Sequence, residues 1–237
     1  IIESFIMKNL LKTIALFFNA YFLNILLPCK VSSQGFAKGI SVKSVAKKSS
    51  VTIGKRARLN TVSFTIGENG AIFIDGSSRL NNVSFHLPGS NAKVCIGSCC
   101  MISNTEFWIE DDANEIIIGD NTYIGGAHLA VTGKEKKIRI GKDSMLSNGI
   151  VIRTGDSHSI IDLSNGEKMN PEQNVFIGNH VWIAQNVTIL KGSTVNDDSV
   201  IGCCSVVCNS FEHNSLIVGS PAKTVKEGIC WNKERFV

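Results

Sequence analysis

From Ile177 onward a branched aliphatic recurs at every sixth position: Ile177, Ile183, Ile189, Val195, Ile201 and Val207. Four residues after each stand Val181, Val187, Ser193, Ser199, Ser205 and Phe211, mostly small or β-branched. The residue following the aliphatic is often small, as at Gly178, Ala184 and Gly202. A helix repeats at 3.6 and a plain strand at 2, so neither produces a strict six. The phase recurs upstream in Ile140, Leu146 and Ile152, and in Ile118, Ile124 and Ala130. Shorter echoes pair Ile96 with Ile102 and Ile66 with Ile72. A hexad reads as one short strand and one turn, with the aliphatic pointing inward. Three hexads return the chain above its start, and stacked coils bury a continuous apolar column that no single coil could hide. The pattern predicts an all-β fold, a parallel β-helix.

Breaks in phase divide the chain. Those at 102–118 and 152–177 predict loops leaving the prism, the second containing "TGDSHSII" within a polar excursion over 154–174. The expected organisation is an apolar, helical segment at 1–30, a linker at 31–49, the β-helix at 50–226 and a tail at 227–237. The N-terminal segment is uncharged between Lys12 and Lys30 but is interrupted by Asn19 and Asn24. It falls short of the roughly 20 apolar residues of a spanning helix. A helix lying on a membrane or packed on the domain is expected, giving peripheral membrane contact. A secretory signal competes, because Lys8 and Lys12 precede the apolar run.

Composition narrows the function. With 43% hydrophobic and 19% charged residues, the 237-residue chain is an ordinary globular one. A net charge of +4 gives no concentrated basic face, so nucleic acid is not an expected partner. Among the eight cysteines, Cys99–Cys100 and Cys203–Cys204 are adjacent and no CxxC occurs, which predicts free thiols in a reducing cytoplasm and no structural zinc. No Walker or dinucleotide glycine motif is present.

Five histidines are candidates for acid–base work, which imidazole suits at neutral pH. His86, His128 and His213 read as surface or packing residues. His180 lies in the turn "GNHVW", facing solvent or a neighbouring subunit. His158 sits among Thr154, Gly155, Asp156, Ser157 and Ser159, where nothing asks for a core histidine. From composition alone, an idle exposed loop histidine and a functional one weigh equally.

The stretches "IGNHVWIAQNVTILKGSTV" and "NSLIVGSPAKTV" resemble the hexapeptide-repeat acyltransferases, over roughly residues 50–226. The resemblance implies a left-handed prism, a homotrimer and acetyl-CoA lying between adjacent prisms as acyl donor, with no metal. The run "DSHSIIDLSNGEKMNPEQNVFIGNHVWIA" is similar to the subgroup acting on bacterial capsule and surface sugars, polysialic acid O-acetyltransferases among them. It implies that His158 is the general base and that Trp182 shapes the site, with Asp156 available to orient the imidazole. By position in the family pattern, Trp182, Ala184, Gly202, Cys203, Ser205 and Lys223 would line the coenzyme, and Arg153 and Ser157 would meet the acceptor. Lys134, Lys136, Lys137 and Arg139 form a basic patch that could attract an acidic polysaccharide, though a charged turn is more often a solvated loop. Two departures stand out: Cys203–Cys204 where family members carry Ala and Gly, and Asn209 or Ser210 where they carry lysine. The implied activity is O-acetylation of a surface glycan or its precursor, at the cytoplasmic face of the inner membrane. The alternatives are N-acetylation of an amino-sugar nucleotide and a non-catalytic scaffold. A three-histidine zinc site is disfavoured, since His158 and His180, the closest pair, are 22 residues apart.

Overall fold

The computed structural model describes residues 30–234; the N-terminal apolar segment expected at 1–30 therefore lies outside the described residues, apart from Lys30. The chain is a parallel β-solenoid. One nine-stranded sheet, from Lys30–Ser33 to Ser210–Phe211, forms the first face. A fourteen-stranded sheet wraps the second and third faces, because strands such as Met101–Ile109 run through the corner between them.

The hexad holds only for the last coils. Trp182 pairs with Val200, a step of 18 residues. Upstream, Lys93 pairs with Glu115 and Glu115 with Lys137, steps of 22. These coils spend the extra residues on longer strands and turns, so the break at 102–118 is not a loop leaving the prism. Met101–Ile109 and Glu115–Ile118 are strands of consecutive coils there. The expected linker at 31–49 likewise carries the strands Lys30–Ser33 and Phe36–Val45, which pair with the coil above.

Inside, the predicted aliphatics stack as expected. Ile183, Ile189, Val195, Ile201 and Val207 are fully buried, as are Val181, Val187, Ser193, Ser199 and Ser205. In the wider coils Phe64, Phe85 and Phe107 continue the column as parallel rings, with centroids 5.3 and 4.9 Å apart. Each coil turns on left-handed residues that stack into columns. Arg56, Ser77, Cys99, Asn121, Asp143, His180, Asp198 and Asn214, with φ between 51° and 63°, mark the corner between first and second faces. Thr61, Asn82, Asn104, Gly149, Asn186 and Cys204 mark the next. The Asn and Asp enrichment follows from their tolerance of this conformation, and neighbours bond along the column, as Asn82 Nδ2 donates to Asn104 Oδ1 at 2.8 Å.

The C-terminal residues fold back. Ala222–Glu227 forms an antiparallel hairpin with Ser215–Gly219, and Trp231, in the expected tail, is buried against the His180 corner.

Candidate active site

Among the described residues the solenoid opens at the corner between the third and first faces. Ile138 pairs with Val175 across 37 residues, so the coil stacks in register although a long excursion leaves it. Buried Thr154 closes the neck. Its hydroxyl donates to Thr132 O and accepts from Thr132 N–H, both at 2.9 Å, and its carbonyl accepts from Gln173 N–H at 2.8 Å. Beyond the neck the chain forms a short arm. Asp162 N–H donates to Glu167 O and Met169 N–H to Ile160 O, at 2.9 and 2.8 Å. Ile160, Ile161, Leu163 and Met169 are exposed on this arm, Leu163 completely.

Polar side chains hold the segment around His158 from every side. Asn170, nearly buried, donates to Asp156 Oδ2 at 2.7 Å and to the carbonyl of His158 at 2.9 Å, and its own oxygen accepts from Ile160 N–H at 2.7 Å. Lys191, from the next coil, pairs with Asp156 Oδ2 and donates to Asn170 O. The Lys191 ammonium, then Asn170, hold the Asp156 carboxyl below the usual carboxylate range. Lys168 does the same to Glu172. Ser157 adopts φ 64° and accepts from Arg153 Nη2 at 2.7 Å. A non-glycine residue held there is locally strained, and such strain persists only where the surroundings impose it. The imidazole of His158 is exposed and makes no hydrogen bond among the described residues.

The expected site residues divide accordingly. Asp156 does not orient the His158 ring; its carboxylate is occupied by Lys191 and Asn170, and it braces the backbone instead. Arg153 and Ser157 bond each other, fixing the turn that presents His158. Trp182 lies on the second face, 37% exposed, with its indole N–H free of partners among the described residues and Trp231 as its ring neighbour at 6.1 Å. Among the described residues it makes no ring or hydrogen-bond contact with His158. Ala184 stacks below Gly202, and Gly202 N–H donates to Ile217 O at 2.8 Å. A Cβ at Gly202 would stand 2.6 Å from Val218 Cγ1, and Val218 pairs with exposed Lys223, so these residues form one continuous strip. Cys203 is exposed at its edge. Ser205 is fully buried and its hydroxyl donates to Gly202 O at 2.8 Å, so it is a corner residue and not a groove contact.

Three functional neighbours escape the sequence pattern: Asn170, Lys191 and Trp231. Lys191 follows the hexad aliphatic Ile189 by two, a position that only the excursion makes significant. His180 is paired with Asp198 at 2.8 Å and stacked on Trp231 at 4.3 Å, while Trp231 Nε1 donates to His180 O at 2.7 Å. It is a packed corner. The seven described cysteines carry free thiols, and burial raises the Cys95 and Cys100 thiols. Among the described residues no three His, Cys, Asp or Glu side chains converge on a metal-sized site, and no helix is long and apolar enough to cross a membrane.

No family model matches the chain. It is 35% identical to the polysialic acid O-acetyltransferase of Neisseria meningitidis over 72% of its own length and 89% of the relative's. It is 30% identical to the polysialic acid O-acetyltransferase of Escherichia coli O1:K1 / APEC over half of this chain and 38% of that one. Among solved structures, the polySia-specific acetyltransferase NeuO superposes with a TM-score of 0.64 at 25% identity, covering 87% of this chain and 83% of that one. The polysialic acid O-acetyltransferase OatWY does so at 0.50 with 32% identity, covering 87% and 92%. The braced excursion, the stacked hexads and this extent of likeness together place the chain in the hexapeptide-repeat acetyltransferases, in the family that includes the polysialic acid O-acetyltransferases.

Proposed function

We propose that the protein transfers the acetyl group of acetyl-CoA to a hydroxyl of a bacterial surface glycan, with His158 as general base. The observation that carries this reading is the excursion itself. Arg153, Asp156, Ser157, Asn170 and Lys191 bond one another or the backbone, while the imidazole of His158 makes no hydrogen bond among the described residues.

Acetyl-CoA supplies an activated thioester. A ring nitrogen of His158 would accept the proton of the attacking hydroxyl and return it to the coenzyme A thiolate as the C–S bond breaks, a role that typically contributes 10²–10⁴-fold. The free N–H of Trp182 would donate to the oxygen on which negative charge develops, the usual electrostatic device for acyl transfer. The strip Ala184–Gly202–Val218 is bare enough for a thin pantetheine arm. Lys223 at its end would offer a point charge to the coenzyme's phosphates.

His158 and Trp182 sit on different parts of the prism, so the chemistry joins them only across neighbouring copies. Exposed Phe73 and Phe176 on the first face and the apolar arm supply surfaces suited to such contact. We read the assembly as a homotrimer of left-handed prisms, working on the cytoplasmic side of the inner membrane, where acetyl-CoA is available. The test is incubation with labelled acetyl-CoA and a panel of capsular and lipid-linked sugars, with mass analysis of the product. Label on a hydroxyl supports the reading; label on an amine replaces it. His158→Ala should cut turnover by two or more orders of magnitude while coenzyme binding, followed by calorimetry, stays intact. Unchanged turnover would remove His158 from the mechanism.

A further inference from the structure

A second feature lies away from the acetyl-transfer strip. A trough of about 790 Å³ runs along the corner of the second and third faces. Ser41, Ser63, Ser84, Glu106, His128 and Val151 follow one another along it in strict register, one per coil. Rungs of a parallel sheet lie about 4.8 Å apart, so the track spans about 24 Å. One rung is close to the advance of one pyranose unit in an extended chain.

The floor is kept bare. Gly126 has no positive φ, and a Cβ there would find its nearest atom at 3.5 Å. Neither backbone strain nor crowding requires glycine at that position, and its effect is to leave room. Along the wall, the hydroxyls of Ser41, Thr61 and Ser63 have no partner among the described residues. Among the described residues no lysine or arginine lines the trough, and the one carboxylate there, Glu106, bonds His128 at 2.9 Å.

Two positions farther along the same strands stands an aromatic pair. The His86 and Trp108 rings lie with centroids 4.0 Å apart and planes tilted by 30°, and Trp108 Nε1 donates to Glu110 Oε1 at 2.8 Å, which fixes the indole. The next rung sets buried Ala130 opposite Trp108, with the His128 ring 6.3 Å from the indole, and the one after it carries Arg153. Trp108 is half-buried, and through His128 its indole adjoins the trough. Arg153 in turn holds Ser157, next to His158.

We propose that this trough binds an extended, uncharged stretch of the acceptor saccharide and leads it toward the His158 arm. A sugar ring would stack on Trp108, as flat apolar ring faces favour, while serine hydroxyls and Glu106 take the sugar hydroxyls. The absence of cations disfavours a polyanion in this track. The inference rests on the glycan-acceptor reading above and adds the class of chain recognised.

The test is binding of the full-length protein to arrayed oligosaccharides, with neutral dextran, mannan, galactan and N-acetylglucosamine fragments beside oligosialic acid. Neutral fragments of about six units should bind best, and Trp108→Ala should lower that signal at least tenfold. Gly126→Leu, which fills the floor, should do the same with an unchanged melting temperature, so that misfolding is separated from lost binding. Strongest binding of oligosialic acid in the trough, no neutral binding, or full binding in both variants would overturn the proposal. So would a change of sedimentation in either variant, since the trough would then be a contact between copies. Thiol release by the unmodified protein is followed separately. Release without any effect of the trough variants sinks the trough alone; saccharide binding without release sinks the transferase reading alone.

Discussion

Asn170→Ala isolates the bracing of the arm from its chemistry. The amide makes three hydrogen bonds, to Ile160 N–H, Asp156 Oδ2 and the His158 carbonyl. At about 1 kcal/mol net for each, its removal withdraws about 3 kcal/mol from the ordered arm. One decade of rate corresponds to about 1.4 kcal/mol, so the population that presents His158 correctly can fall by up to about two orders of magnitude. Lys191 still grips Asp156, which limits the loss, and we expect turnover to drop between tenfold and a hundredfold. The KM for acetyl-CoA should not move, because nothing in the Ala184–Gly202 strip depends on Asn170. Hydrogen exchange gives an independent reading: the amides of Ile160, Asp162 and Met169 should lose protection while the coil amides keep theirs. Full turnover in a variant whose arm amides exchange freely would show that order around residue 158 is irrelevant to catalysis.

Trp182→Phe keeps an aromatic surface and removes the free N–H; turnover should fall by one to two orders of magnitude with coenzyme affinity retained, and steady-state kinetics separate the two. Phe85→Ala opens the stacked core between Phe64 and Phe107 and should cost about 3–5 kcal/mol in denaturant unfolding. Acid should release the arm before the prism. Asp156 and Glu172 are held below their ordinary values, so their contribution is complete above the unfolded carboxylate range near pH 4 and is lost as pH falls through the lower folded values. Protection of the arm amides should therefore disappear on acidification below about pH 4 while coil amides persist, and Lys191→Met should shrink that step to the part carried by Lys168 and Glu172.

The C-terminal half of the fold was legible because its coils are minimal. With six residues to a side, every inward position is compulsory, and Ile183, Ile189 and Ile201 declare themselves. The N-terminal coils hid behind their length. Their repeat is 21 or 22 residues, visible in the equivalent runs "RLNTVSFTIG" and "RLNNVSFHLP", which stand 21 apart, but a search in steps of six finds only fragments of it. The break at 102–118 and the linker at 31–49 both came from that mismatch. For the site, a polar excursion with one histidine was readable, since nothing in the prism accounts for it. Its supports were not. Asn170 lies 12 residues from His158, and Lys191 lies 35 from Asp156, separations that carry no local periodicity. Ser205 misled because a small hexad residue reads the same whether it faces the groove or the interior.

The coil that carries the arm pairs with its neighbours as though the arm were absent. Whatever hangs from that corner is thus mechanically insulated from the stack, so the excursion can be exchanged for one of another length or chemistry without re-optimising the scaffold. Grafting the segment between Thr154 and Gln173 onto a related solenoid would carry over the bracing Asn170, leaving Arg153 and Lys191 to be added by point substitution.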